Sequence, residues 1–165
     1  MSMIKGKDTK PEIILRHSLH AKGFRYRKNV KSLPGKPDIV LAKYRTVIFV
    51  NGCFWHGHMD CSRYVTPKSN TAFWENKIKA NKERDLVAIQ KLESLDWNVI
   101  TVWECQLGKA TIDEAISSII HQLKTNQCEW ESYQERRRLN RQIQINQARD
   151  RRQLQERVLL ELKNQ

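Results

Sequence analysis

The chain has 165 residues, a length that suits one domain plus an appendage. Thirty Lys and Arg against 18 Asp and Glu leave a formal charge of +12, the footprint of a protein that meets a polyanion, most commonly nucleic acid. No apolar run reaches the roughly 20 residues that span a bilayer. The polar stretch from Met1 to Lys10 lacks a signal-peptide apolar region, so a cytoplasmic protein is expected. Four cysteines in that compartment point to metal ligands or free thiols rather than disulfides.

In chain order, Thr9-Lys10-Pro11-Glu12 predicts a helix start, with Thr9 as cap, Pro11 in the first turn and Glu12 at the capping-box position. Ile14, Leu15, Ser18 and Leu19 form a helical face that Gly23 ends. A basic loop follows from Lys28 to Lys36. Asp38 to Ala42 and Arg45 to Val50 read as two strands of a hairpin, the second fully buried. Asn51-Gly52 breaks the second strand and opens a Cys/His/aromatic loop. Asn70 caps a long helix to about Leu95, with Trp74, Ile78, Asn81 and Asp85 on one side. Trp97 to Trp103 is a third strand, and Ile112 to Leu123 an amphipathic helix. This order predicts a mixed α/β sandwich with a small sheet. Beyond Cys128 the composition changes: Glu129 to Gln165 holds nine Lys or Arg, six Asp or Glu, and neither Gly nor Pro, as a long helix would. Leu139 and Ile143 make one four-residue step, and Leu154, Val158 and Leu162 two more. The gap between the two sets excludes a sustained heptad.

Gly52-Cys53-Phe54-Trp55-His56-Gly57-His58-Met59-Asp60-Cys61 is the most informative stretch. Zinc needs four soft or borderline ligands converging tetrahedrally. Cys53, His58 and Cys61 supply three from one loop, and Cys105, just past the third strand, supplies a distant fourth. Cys128 sits at the composition boundary as a bystander. One histidine is left over, free to take a proton from attacking water; spacing alone does not decide between His56 and His58. Asp38 heads a hairpin whose second strand runs into this loop, so Asp38 and His56 are expected at the same end of the sheet. A carboxylate there suits Mg²⁺, a hard cation that prefers oxygen.

These residues carry a resemblance. Lys7-Asp8-Thr9-Lys10-Pro11-Glu12, Leu33-Pro34-Gly35-Lys36-Pro37-Asp38, Val47 to His56, Phe73-Trp74-Glu75-Asn76-Lys77-Ile78, Asn81-Lys82-Glu83-Arg84-Asp85 and Val102-Trp103-Glu104-Cys105 follow one another as in the Vsr family. This family of very-short-patch repair endonucleases is similar to restriction enzymes, and the likeness covers about residues 7 to 125. The resemblance implies a restriction-endonuclease-like mixed sheet flanked by helices, with a zinc-pinned loop. Residues 1–126 would form the endonuclease domain and 127–165 a basic, Gln/Arg-rich helical extension. It implies that Asp38 and the Val50 carbonyl hold Mg²⁺, that His56 is the catalytic histidine with Asp85 as its acidic partner, and that Glu12 is an accessory glutamate. It likewise implies structural zinc on Cys53, His58, Cys61 and Cys105, and an aromatic wedge of Phe54, Trp55 and Trp74 beside a thymine–guanine mispair. The activity implied is nicking of one strand 5′ to the thymine of a T·G pair left by 5-methylcytosine deamination. The partners implied are double-stranded DNA and mismatch-repair proteins, for a monomeric, nucleoid-associated bacterial-type enzyme. Local chemistry also accommodates simpler roles: Glu12 as a helix cap, Asp85 as a solvated helix residue, Trp74 as core. Two rival functions remain: a restriction-like or anti-phage nuclease without mismatch preference, and a zinc-stabilised DNA-binding module without catalysis. The chain departs from its resemblance at Asn51, where Asp or His is common, in a Cys53-to-Cys61 loop one residue longer, and in a tail without counterpart.

Overall fold

Four strands, three α-helices and two 3-10 turns make up the computed structural model, which describes residues 7–163, with side chains through residue 156. Residues 1–6 of the polar N-terminus, and the side chains of Val158 and Leu162, lie outside the described residues. Helix α1 spans Lys10–Ala21. Its start follows the expected capping chemistry: the Glu12 carboxylate accepts hydrogen bonds from the Asp8 amide at 2.9 Å, the Thr9 amide at 3.3 Å and the Thr9 hydroxyl at 2.8 Å.

The sheet runs β1 (Arg27–Lys28), β2 (Ile39–Leu41), β3 (Thr46–Asn51) and β4 (Asn98–Trp103) in spatial as well as chain order. β1 and β2 pair antiparallel, as do β2 and β3, whereas β3 and β4 are parallel. The hairpin expected from Asp38 to Val50 is present. Its turn is a 3-10 segment, Ala42–Tyr44, after which Arg45 adopts a left-handed φ of 48°. β1 corrects the reading of Lys28 to Lys36 as a loop from its first residue: Arg27 pairs with Val40 and Lys28 with Ile39. Both residues are exposed, as suits a short charged edge strand.

Parallel pairing of β3 with β4 requires a crossover, and helix α2 (Thr71–Glu93) supplies it. Alternation along the strands then gives the sheet two apolar faces. Ile39, Leu41, Ile48, Ile100 and Val102 face Leu15 and Leu19 of α1 and Ile116, Ile119 and Leu123 of α3 (Ile112–Lys163). Val40, Val47, Phe49 and Val99 belong to the second cluster, with Leu92 of α2. Full burial of each such aliphatic side chain contributes about 1.5–3 kcal/mol, so the sheet is held from both sides.

The helix expected from Ile112 to Leu123 does not stop there. α3 continues to Lys163, because no Gly or Pro interrupts it. By its contacts the chain divides into two compact units, Met1–Gln127 and Cys128–Gln165. The first holds the sheet and both apolar clusters; the described part of the second is helical and mostly exposed. No helix among the described residues is long and apolar enough to cross a membrane.

Candidate active site and metal centre

Because β3 and β4 are parallel, their carboxyl ends lie side by side, with Asn51 opposite Trp103. The loop leaving β3 and the 3-10 turn leaving β4 (Glu104–Leu107) therefore start from neighbouring points. In open α/β sheets this edge is where ligands gather. Two sets of chemistry-bearing side chains are found there.

The first is a soft-ligand cluster. One ligand atom from each of Cys53, His58, Cys61 and Cys105 lies within 4.8 Å of the others. Cys105 Sγ is 3.4 Å from His58 Nδ1, and the His58 ring stacks on Trp103 at 4.1 Å between centroids with the planes parallel to 1°. Trp103 thus orients the imidazole. Burial pushes the Cys53 thiol up to about 12, whereas the Arg63 amide holds the Cys61 thiol below its ordinary range. A buried thiolate needs a compensating cation, and three sulfurs plus one imidazole form a donor set that suits tetrahedral zinc. The loop turns at Gly57, whose φ is 59°; a Cβ there would stand 2.8 Å from Ile78 Cγ2, so glycine is required for the close approach of α2. Cys128 is exposed and stands outside the cluster.

The second set is harder. Asp38, at the head of β2, accepts a hydrogen bond from the Val50 amide at 2.8 Å, which seats the carboxylate against the end of β3. Burial pushes Asp38 from its ordinary 3.8 up to about 6. The Val50 amide opposes that shift, and the negative charge of Glu12 adds to it. Glu12 is buried, and Arg16 beside it is also buried, 2.7 Å from Asp8 and 3.4 Å from Glu12. The Arg16 guanidinium holds Asp8 below its ordinary carboxylate range. His56 Nδ1 lies 2.5 Å from Asp85 Oδ2, a contact between the loop and α2 across 29 residues of sequence. His56 also bears on the ionisation of Asp38, but among the described residues no hydrogen bond or ion pair joins Asp38 to His56 or Asp85.

Phe54, Trp55 and Trp74 form a triangle of edge-to-face contacts with centroids 5.2, 5.3 and 5.8 Å apart. All three are half-buried and belong to neither apolar cluster, so Trp74 is not a core residue despite its helical spacing. Phe73, 60% exposed, extends the group.

Sequence reasoning gave no role to two residues that order the site. Asn81, buried on α2, donates from Nδ2 to the Trp55 carbonyl at 2.7 Å and accepts a hydrogen bond from Arg84. Its place on the Trp74–Ile78–Asp85 side of the helix was the available signal, since a polar residue on an inward face needs a partner. Arg16 is one helical turn past Glu12, and that spacing marks the pair.

A soft-ligand cluster and a carboxylate–imidazole pair stand together at one edge of a mixed α/β sheet, an arrangement that suits a hydrolase. The sequence profile described as DNA mismatch endonuclease Vsr matches residues 1–63. The chain is 50% identical over 125 residues to the type II nicking enzyme V.NmeAIP of Neisseria meningitidis serogroup A, covering 75% of this chain and 89% of that protein. It is 45% identical over 108 residues to the type II nicking enzyme V.XorIIP of Xanthomonas oryzae, covering 66% and 79%. It is 44% identical over 119 residues to the DNA mismatch endonuclease Vsr of Escherichia coli, covering 71% and 76%. The chain belongs to the Vsr family and is a DNA endonuclease.

Proposed function

We propose that this endonuclease nicks one strand of duplex DNA 5′ to the thymine of a T·G mispair, in a short sequence context, as very short patch repair after 5-methylcytosine deamination requires. The observation that carries the reading is the 2.5 Å contact between His56 and Asp85, a pairing that DNA binding alone does not need. With Nδ1–H donated to Asp85, the lone pair of His56 resides on Nε2, ready to take the proton of an attacking water. Asp85 fixes that tautomer and offsets the imidazolium charge as it forms.

Asp38 and the Val50 carbonyl would hold Mg²⁺, whose bound charge neutralises the phosphate and favours hydroxide. Asp38 suits the task because burial disfavours its lone negative charge and a cation relieves that cost. Glu12 adds negative potential toward Asp38 while its oxygens cap α1, so its part is accessory. Zinc on Cys53, His58, Cys61 and Cys105 would hold the loop that carries His56. Phe54, Trp55 and Trp74 supply the wedge: unstacking costs a few kcal/mol per step, and less beside a mispair. Insertion at one place therefore selects the mismatch.

The test is Mg²⁺-dependent nicking of T·G and matched T·A duplexes in varied contexts. Faster nicking of T·G is expected. Equal cleavage of both would assign a nuclease without mismatch preference, and no cleavage of either would refute the reading.

A further inference from the structure

We propose that residues 136–152 of α3 form a second duplex-binding surface, an arginine face that grips the phosphate backbone independently of the residues that nick it. This rests on DNA as the substrate of the family and not on the mismatch preference.

The segment carries seven arginines, no lysine, and one acidic residue, Asp150, for a net charge of +6. The tail as a whole shows a far weaker excess, because Glu129, Glu131 and Glu135 precede the segment. At about 100° per residue, Arg137, Arg138, Arg141, Arg149, Arg151 and Arg152 fall within an arc of about 160°. Leu139, Ile143, Asp150 and Leu154 fall on the opposite side. Every residue of the segment is exposed, and among the described residues none of its arginines has an acidic partner within salt-bridge distance.

A helix that is merely solvated sets opposite charges three or four residues apart. Within the segment only like charges stand at that spacing, Arg137 with Arg141, Arg138 with Arg141, and Arg149 with Arg152; opposite pairs, Glu135 with Arg138 and Arg152 with Glu156, occur only across its two ends. Such pairs destabilise the helix unless an anion lies between them. The consistent choice of Arg over Lys favours an oxyanion that takes a planar fork of donors, as phosphate does. Gln144 within the arc, and Asn140 and Gln142 at its two borders, add neutral donors of the kind that bond phosphate and sugar oxygens. The segment is about 25 Å long at 1.5 Å per residue. Duplex DNA presents one charge per about 1.7 Å of axis, a density that matches a row of closely spaced guanidiniums, and its major groove admits a helix.

The experiment measures binding of the full chain to a matched duplex without Mg²⁺, by fluorescence anisotropy across a salt series. Replacing Arg137, Arg138, Arg141, Arg149, Arg151 and Arg152 with Gln preserves helix propensity. If about four to five phosphates are contacted, the slope of log K against log salt should fall by about 4, with at least about tenfold weaker binding near 0.1 M salt. The same six positions changed to Lys should recover the slope but only part of the affinity. Circular dichroism and zinc content confirm that each variant is folded. An unchanged slope and affinity in the Gln variant overturns the proposal. So does a loss confined to phosphatidylserine-containing vesicles, which would make the face a membrane surface. A loss that accompanies a change in association state by sedimentation overturns it as well.

Discussion

Replacing Asp38 by Asn should make the Mg²⁺-free protein more stable while abolishing nicking. The carboxyl moves from 3.8 when exposed to about 6 in the folded chain, so the folded state binds this proton more tightly than the unfolded state. Its contribution to stability is therefore nil below pH 3.8, turns unfavourable as pH rises between the two values, and reaches its full penalty above 6. That shift corresponds to about 3 kcal/mol, and partial solvent screening reduces it to on the order of 2 kcal/mol. Asn keeps the shape, and its carbonyl still accepts the Val50 amide. Thermal unfolding in Mg²⁺-depleted buffer without chelator, so that zinc proposed for the thiolate site would be retained, should show Asp38→Asn stabilised at pH 7.5. Two kcal/mol corresponds to a rise of about 4–10 °C for a unit of this size. At pH 5 roughly half of the gain should vanish, since Asp38 is by then mostly protonated in the folded state. Mg²⁺ should raise the melting temperature of the parent chain and leave the variant unmoved. A variant less stable than the parent at pH 7.5, or a gain that grows as pH falls, would refute the reasoning.

His56→Ala should slow single-turnover nicking by on the order of 10²-fold or more with DNA affinity retained, and Asp85→Asn should slow it through the wrong imidazole tautomer; a normal rate in either variant would remove the proton-acceptor assignment. Metal analysis should find close to one zinc per chain, unchanged in Cys128→Ser and lost in Cys105→Ser, and a folded, metal-free parent chain would contradict the thiolate site. Trp55→Ala should lower the ratio of T·G to T·A cleavage more than it lowers general DNA affinity, and an unaltered ratio would exclude it from the wedge. Asn81→Leu should lower the same ratio and change the Trp fluorescence of the free protein, because the Trp55 carbonyl loses its buried donor.

The parts of the fold that were legible in sequence are those where one local rule dominates. Thr9-Lys10-Pro11-Glu12 announces a helix start, and the Glu12 carboxylate bonds the Thr9 amide that the capping rule assigns to it, with the Asp8 amide in addition. The hairpin is legible because two apolar runs stand a few residues apart. The soft-ligand cluster is legible because three of its four residues share one loop, and the fourth follows a strand that the parallel register brings alongside. What was not legible depends on tertiary partners. Lys28 reads as the start of a loop and Arg27 as part of no element, because a two-residue charged edge strand has no apolar period, and only its pairing with Ile39 and Val40 makes it a strand. Leu123 read as a helix end because the apolar face stops there, yet burial ends without the backbone hydrogen bonding ending. Trp74 has the spacing of a core residue and stands instead against Phe54 and Trp55, since what lies opposite a helix face is not written in its period.

His56 lies inside the span that Cys53, His58 and Cys61 close, and this joins two supplies that are otherwise unrelated. Three thiols within 4.8 Å of one another would be open to oxidation without a cation between them, and an oxidised loop would no longer present the imidazole to Asp85. Restoring Mg²⁺ to such a molecule would not restore cleavage, because the fault lies in the loop rather than at Asp38. Zinc availability and thiol redox state would thus set how many copies are competent, and magnesium only how fast those copies turn over. A chelator used to halt the reaction would then act on two clocks, pausing the chemistry at once and dismantling the loop more slowly.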